Sequence, residues 1–251
     1  MVMDAFHPHP FKKELMAEKT NNNAVSIGMV VARFAFTLVF ILGIFYLTSG
    51  RLDWWEVWAY TANFLIVVIF GRIVLVVIRP DQIKERVEAG QKENVKSWDK
   101  WIVPVIGLYM PFLSMAAAGL DKRYGWSPDL PDGIQIAALA ALFAGSMLGN
   151  WAMLTNRFFS SHVRIQTDRG HMVVDNGPYS VVRHPGYAGG LLSWIAAPVF
   201  FSSWWVALPC VVTIILFIYR TSLEDRTLQE ELPGYREYAG RVRYRLLPGI
   251  W

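Results

Sequence analysis

Four apolar runs decide what this chain can fold into: 24–48, 54–78, 101–119 and 133–155. Each is close to the length that crosses a lipid bilayer. A spanning helix needs about 20 mostly apolar residues, because the hydrocarbon offers no partner for unpaired backbone N–H and C=O groups. Two shorter runs follow, 187–201 and 204–219, and the Ser202-Ser203 break between them predicts a tight helical hairpin. The pattern therefore predicts an all-α, polytopic membrane helix bundle of six hydrophobic segments, the last two forming a short C-terminal hairpin. Composition agrees. Of 251 residues, 54% are hydrophobic and 18% charged, against about 25% charged in soluble domains.

Details within the runs sharpen this. Trp54 and Trp55 mark a membrane interface. Pro104 and Pro111 interrupt the third run, which a membrane helix tolerates when neighbours satisfy the freed carbonyls. In the fourth, Ala137, Ala141, Gly145 and Gly149 recur every four positions, so this helix is expected to pack centrally at close approach. Cys210 is the single cysteine, which excludes an internal disulfide and Cys-rich metal sites. It reads as a small apolar side chain. Arg33 and Arg72 lie inside runs, where an ionisable residue is a functional candidate by default and where an arginine can also reach the interface by snorkelling.

Charge sets the expected topology. Of the 24 Lys and Arg, 19 lie in 1–23, 79–100, 156–186 and 220–251, and only three in 49–53 and 120–132. Positive charge stays on the cytosolic side. This predicts six crossings with both termini cytosolic. The expected organisation is a polar tail over 1–23, four transmembrane helices over 24–155 with a cytosolic loop at 79–100, and a catalytic region over 156–251. The tail does not resemble a signal peptide, and the 80–100 loop reads as a solvated or surface-lying helix. No long basic block suggests nucleic acid.

The topology brings two polar segments to one face. Residues 160–190 gather His162, Gln166, Asp168, His171, Asp175, Arg183 and His184. A connector of about 30 residues where 2–8 suffice points to function. Residues 219–251 contribute Glu224, Asp225, Tyr235 and Tyr238, and a run of Arg241, Arg243 and Arg245 suited to lipid phosphates. Glycine-rich nucleotide fingerprints, a Walker loop, H-E-x-x-H and G-x-S-x-G are absent. His7, His9, His162 and His171 have no metal-ligand spacing.

The string GPYSVVRHPGYAGG (177–190), a short hairpin, the acidic pair 224–225 and Tyr235-x-x-Tyr238 together resemble the isoprenylcysteine carboxyl methyltransferase family, part of a wider group that includes phospholipid methyltransferases. The resemblance covers about 155–251. It implies an integral membrane enzyme that uses S-adenosylmethionine (SAM), held at the cytosolic face by the loop before the hairpin and the segment after it. Gly177, Tyr179, Arg183, His184, Pro185, Tyr187 and Gly189 match the loop motif, and Glu224 the first acidic position. Asp225 stands where the family has a second glutamate, and Tyr235 and Tyr238 match the aromatic pair. Gln166 falls near the implied cofactor pocket. The implied catalytic set is Arg183, His184 and Glu224. The implied cofactor set is Gln166, Gly177, Tyr179, His184, Pro185, Tyr187, Gly189, Glu224, Asp225, Tyr235 and Tyr238, with no metal.

Residue chemistry is compatible with this. Carboxylates suit ribose hydroxyls or an ammonium, Arg and His suit a carboxylate, and tyrosine faces suit adenine or a sulfonium. The expected partners are membrane lipids and a lipophilic acceptor: an isoprenoid or lipid carboxylate, a thiol, or a phospholipid amine. Its chain is expected between the fourth and fifth helices. Two other readings remain. An NADPH-dependent sterol or steroid reductase also carries an R-H-P-x-Y-x-G-type motif, but with an Asp–Arg–Cys cluster after the last span, where this chain reads SLEDRTLQEEL. A non-catalytic membrane scaffold is the third.

Overall fold

The computed structural model describes residues 27–78, 85 and 94–251. Two compact units divide after Phe40. In the first, the Phe36 and Phe40 rings stack with centroids 6.1 Å apart. The unit Ile41–Trp251 carries everything described below. The polar tail 1–23 and most of the 79–100 segment lie outside the described residues, as do the side chains of Arg33 and Arg72.

Seven helices and no strands occur among the described residues. They are α1 (Ile27–Ser49), α2 (Trp55–Ile78), α3 (Asp99–Tyr124), α4 (Asp132–Thr155), α5 (Pro185–Phe200), α6 (Trp204–Glu231) and α7 (Tyr235–Arg241). Each apolar run of the sequence folds as a helix. Among the described residues, α3, α4 and α6 are long and apolar enough to cross a membrane, and Phe34–Ser49 and Trp55–Gly71 are shorter apolar stretches. Phe112, Ile136, Phe143, Leu208, Val212 and Ile215 are exposed on these helices. Such a surface is a liability in water and ordinary against lipid.

Local chemistry sets the helix ends. Gly50 takes φ 76° and its N–H closes α1 on the Tyr46 carbonyl at 2.8 Å. Gly125, at φ 63°, closes α3 on Asp121 in the same way at 2.7 Å. Pro185 occupies the first turn of α5, where a missing N–H costs nothing. The Ser202-Ser203 break forms the expected turn, with the Ser203 hydroxyl capping α6 by accepting from the Val206 N–H at 3.2 Å. Between Pro104 and Pro111, α3 widens into a π turn over Val105–Tyr109. A proline has no N–H and collides with the carbonyl four residues back, so one wide turn relieves the ladder.

The most extensive helix pairing is α4 against α5. A Cβ at Gly145 would run into the Gly189 carbonyl and the Ser193 hydroxyl, and a Cβ at Gly189 would strike the Gly145 carbonyl. The small-residue stripe is thus a close-packing seam. The distal end holds a dense apolar core of Phe45, Trp54, Val57, Phe200 and Val206, which also buries Cys210. A polar cluster closes that end: the Gln135 amide donates to Glu56 (3.1 Å), the Phe200 carbonyl (3.0 Å) and Ser202 (2.8 Å), and Ser203 donates to Asp121.

Gly145→Leu will force α4 and α5 apart. Overpacking typically costs about 1–3 kcal/mol. The expected result is a lower yield of folded protein and a lower melting temperature in detergent, with ligand affinity of the folded fraction unchanged. Normal yield with weakened ligand binding would contradict the packing assignment.

Candidate functional site

At the opposite end of the bundle, one fully buried carboxylate gathers four chain segments. Asp225, on α6, is 0% exposed. Its Oδ1 accepts from Arg183 Nε (2.7 Å) and the Tyr235 hydroxyl (3.2 Å), and lies 3.2 Å from His184 Nε2. Its Oδ2 accepts from Arg183 Nη2 (3.0 Å), Gln229 Nε2 (2.8 Å) and Arg245 Nε (2.9 Å). Arg183 Nη1 adds the Val242 and Arg243 carbonyls, both at 2.8 Å. The C-terminal segment is further tied by the Arg183 and His184 N–H groups, which donate to the Tyr244 and Arg245 carbonyls at 2.9 Å. Burial pushes the Tyr235 and Tyr238 phenols up, and Tyr238 donates to the Tyr179 carbonyl at 2.7 Å.

Beside this hub lies a cavity of about 330 Å³. Its polar wall includes Glu224, Tyr187, His184, Tyr235 and Arg220, and its other wall is the segment 158–166. Glu224 accepts from the Tyr187 hydroxyl at 2.6 Å. Val103, Ile106 and Gly107, at and beside the π turn of α3, line the cavity together with Phe217 of α6. At Gly145 and Gly189 the fourth and fifth of the sequence's apolar helices are in close contact.

The 158–174 wall is held by buried polar contacts. Arg164 makes a bidentate pair with Glu85 (2.8 and 2.7 Å) and donates to Asp168 (2.8 Å). Asp99, also 0% exposed, accepts from the Val163 N–H (2.7 Å) and from Arg220 (2.6 and 3.0 Å). His171 Nδ1 accepts from the Gln166 N–H at 3.2 Å, and its ring lies 4.5 Å from that of Phe158. Burial first, then the nearby charges of Arg164 and Arg169, lowers the His171 pKa to about 4. Burial also lowers that of His162.

Of the residues singled out in the sequence, Gln166, Tyr179, Arg183, His184, Tyr187, Glu224, Tyr235 and Tyr238 line the cavity. The Gln166 amide is engaged at both ends, donating to the Phe158 carbonyl and accepting from Arg169, each at 2.6 Å. Gly177, Pro185, Gly189 and Asp225 are not among the residues that line the cavity. Gly177 turns at φ 57° against Thr155, Pro185 starts α5, Gly189 packs on α4, and Asp225 is the buried hub. Arg241 and Arg245, read as lipid-phosphate ligands, pair with Asp175 (2.8 Å) and Asp225 (2.9 Å). Asp99 and Arg220 escaped the sequence reading. Their signal was a charged residue at the mouth of an apolar run, Asp99 before the third and Arg220 after the sixth.

Residues 137–230 match the family model described as Isoprenylcysteine carboxyl methyltransferase (ICMT) family. The match runs through α4, the loop wall, α5 and nearly all of α6. No curated protein matches the chain.

Two outcomes follow for the hub and the wall. Asp225→Ala leaves Arg183 buried without its carboxylate, a change that costs about 3–5 kcal/mol. Thermal melting should drop sharply, and retained wild-type stability would contradict the hub role. For His171, the native imidazole stays neutral down to about pH 4, while an unfolded histidine takes a proton near pH 6.5. The unfolded state therefore binds more protons between these values, so stability is full above pH 6.5 and falls as pH drops toward 4. Melting temperature against pH should be flatter in His171→Asn than in wild type between pH 6.5 and 5. Identical slopes would show that His171 takes up protons alike in the folded and unfolded protein, against the lowered pKa.

Proposed function

We propose that this chain, which its match over residues 137–230 places in the isoprenylcysteine carboxyl methyltransferase family, is a membrane methyltransferase that uses SAM on a lipophilic acceptor at the cytosolic face. The observation that carries the reading is one cavity lined both by the Glu224 carboxylate, which Tyr187 backs, and by apolar side chains of two candidate membrane helices, α3 and α6. Its volume is in the range of small-molecule sites.

The residues present suit this cofactor. Glu224 is the carboxylate for its cationic groups, Tyr187 and Tyr235 offer aromatic faces, and the partly buried 158–166 segment forms the facing wall. SAM, when bound, supplies an electrophilic methyl group on a sulfonium. The protein's share is then positioning and desolvation. Val103, Ile106 and Phe217 hold the acceptor's apolar part. A carboxylate or thiolate acceptor needs no base. An amine acceptor would use Glu224, which faces the cavity, because His184 Nε2 is held by Asp225 and Tyr235. Arg183, read as catalytic in the sequence, acts in this account by fixing the hub. The charge asymmetry of the loops supports a cytosolic face.

The test is calorimetric binding of SAM and of NADPH, side by side, to the detergent-purified protein, followed by transfer of labelled methyl to a panel of lipid carboxylates, thiols and amines. SAM binding is expected, weakened about tenfold or more in Glu224→Gln, the scale of one charge-assisted contact. NADPH binding without SAM binding would overturn the proposal in favour of a reductase.

A further inference from the structure

On α6, Phe217, Arg220, Glu224 and Leu228 line the cavity at helical spacing. Arg220 and Glu224 stand four residues apart, the separation at which opposite charges on one helix pair by default. They form no ion pair here. Arg220 is turned away by Asp99, the first residue of α3, through Nε to Oδ1 at 2.6 Å and Nη2 to Oδ2 at 3.0 Å. It also donates to the Ser161 carbonyl at 2.9 Å, and its guanidinium lies 5.4 Å from the Tyr187 ring centre. Among the described residues Glu224 has no cation within ion-pair distance, and the Arg220 charge acts on it only through space. It accepts only the Tyr187 hydroxyl. Asp99 is fully buried, does not line the cavity, and lies outside the family match.

This division of charge has a consequence for any ligand. A carboxylate already paired with a guanidinium is electrostatically spent and attracts a cation weakly. A bidentate guanidinium–carboxylate pair is the strongest competitor available to Arg220, and Asp99 supplies it. We propose that Asp99 is a positioning residue for the cofactor site: by holding Arg220 it keeps Glu224 out of a direct ion pair and open to a cationic group of the bound ligand. The inference rests on the reading that SAM occupies this cavity.

The experiment compares SAM with 5′-methylthioadenosine, which keeps the nucleoside and carries neither sulfonium nor ammonium, by calorimetry on the detergent-purified full chain. In Asp99→Asn the released Arg220 pairs with Glu224. SAM affinity should fall about tenfold or more, while affinity for methylthioadenosine changes less than about threefold. Adding Arg220→Gln to Asp99→Asn removes the competing cation and should return SAM affinity to within about threefold of wild type. A purely structural strut predicts the reverse: both ligands weaken, and the second substitution restores nothing. Wild-type SAM affinity in Asp99→Asn overturns the proposal, as does a double variant that stays tenfold weak. Asp99→Asn removes the bidentate carboxylate from a partly buried guanidinium and the acceptor of the Val163 N–H, which costs stability. If it does not fold, the double variant has no unpaired charge and decides alone, with near-wild-type SAM affinity supporting the proposal and a tenfold loss overturning it. A wild-type protein that binds no SAM overturns the proposed function itself, whereas SAM binding indifferent to residue 99 overturns only this inference.

Discussion

The buried Asp225 carboxylate is the interaction on which the rest of the site depends. An isolated carboxylate in that position would cost several kcal/mol in lost hydration. Two guanidiniums, an amide and a phenol replace the lost water, and the imidazole of His184 lies beside them. Those groups come from the loop before α5, from α6, from the start of α7 and from the C-terminal segment. The hub forms only when all of these elements are in place, so the geometry of the cavity wall and the closure of the C-terminal segment are coupled to one charge.

Asp225 and Glu224 are neighbours in sequence and have different environments. Successive residues on a helix point about 100° apart. One carboxylate therefore turns into the protein and becomes structure, and the other turns into the cavity and stays available for chemistry. The same logic separates the residues of the 177–190 motif. Tyr179, Arg183, His184 and Tyr187 reach the cavity, while Gly177, Pro185 and Gly189 build the turn, the helix start and the close seam that hold them there.

The transmembrane helices pack by two opposite devices. Gly145 and Gly189 let α4 and α5 approach until their backbones touch. Pro104 and Pro111 bracket a π turn in α3, and this wide turn, with Gly107 in it, borders the cavity. Helix packing by small residues closes one interface, and a proline-induced defect lines the other.

Much of this was legible in the sequence. Run length and the scarcity of charge determined the helices, because a bilayer admits few other solutions. The Ser202-Ser203 break, the Gly145 seam and the clustering of Glu224, Tyr187, His184 and Tyr235 were all readable from spacing and from one motif. Only the tertiary structure decided which partner each charge takes. Asp99 lies more than 100 residues from Arg220, Glu85 nearly 80 from Arg164, and Arg183 more than 40 from Asp225. No local pattern encodes pairings across such separations. They depend on how the helices dock, which also determined that Asp225 is fully buried, that Arg245 joins it, and that Glu224 makes no direct ion pair among the described residues.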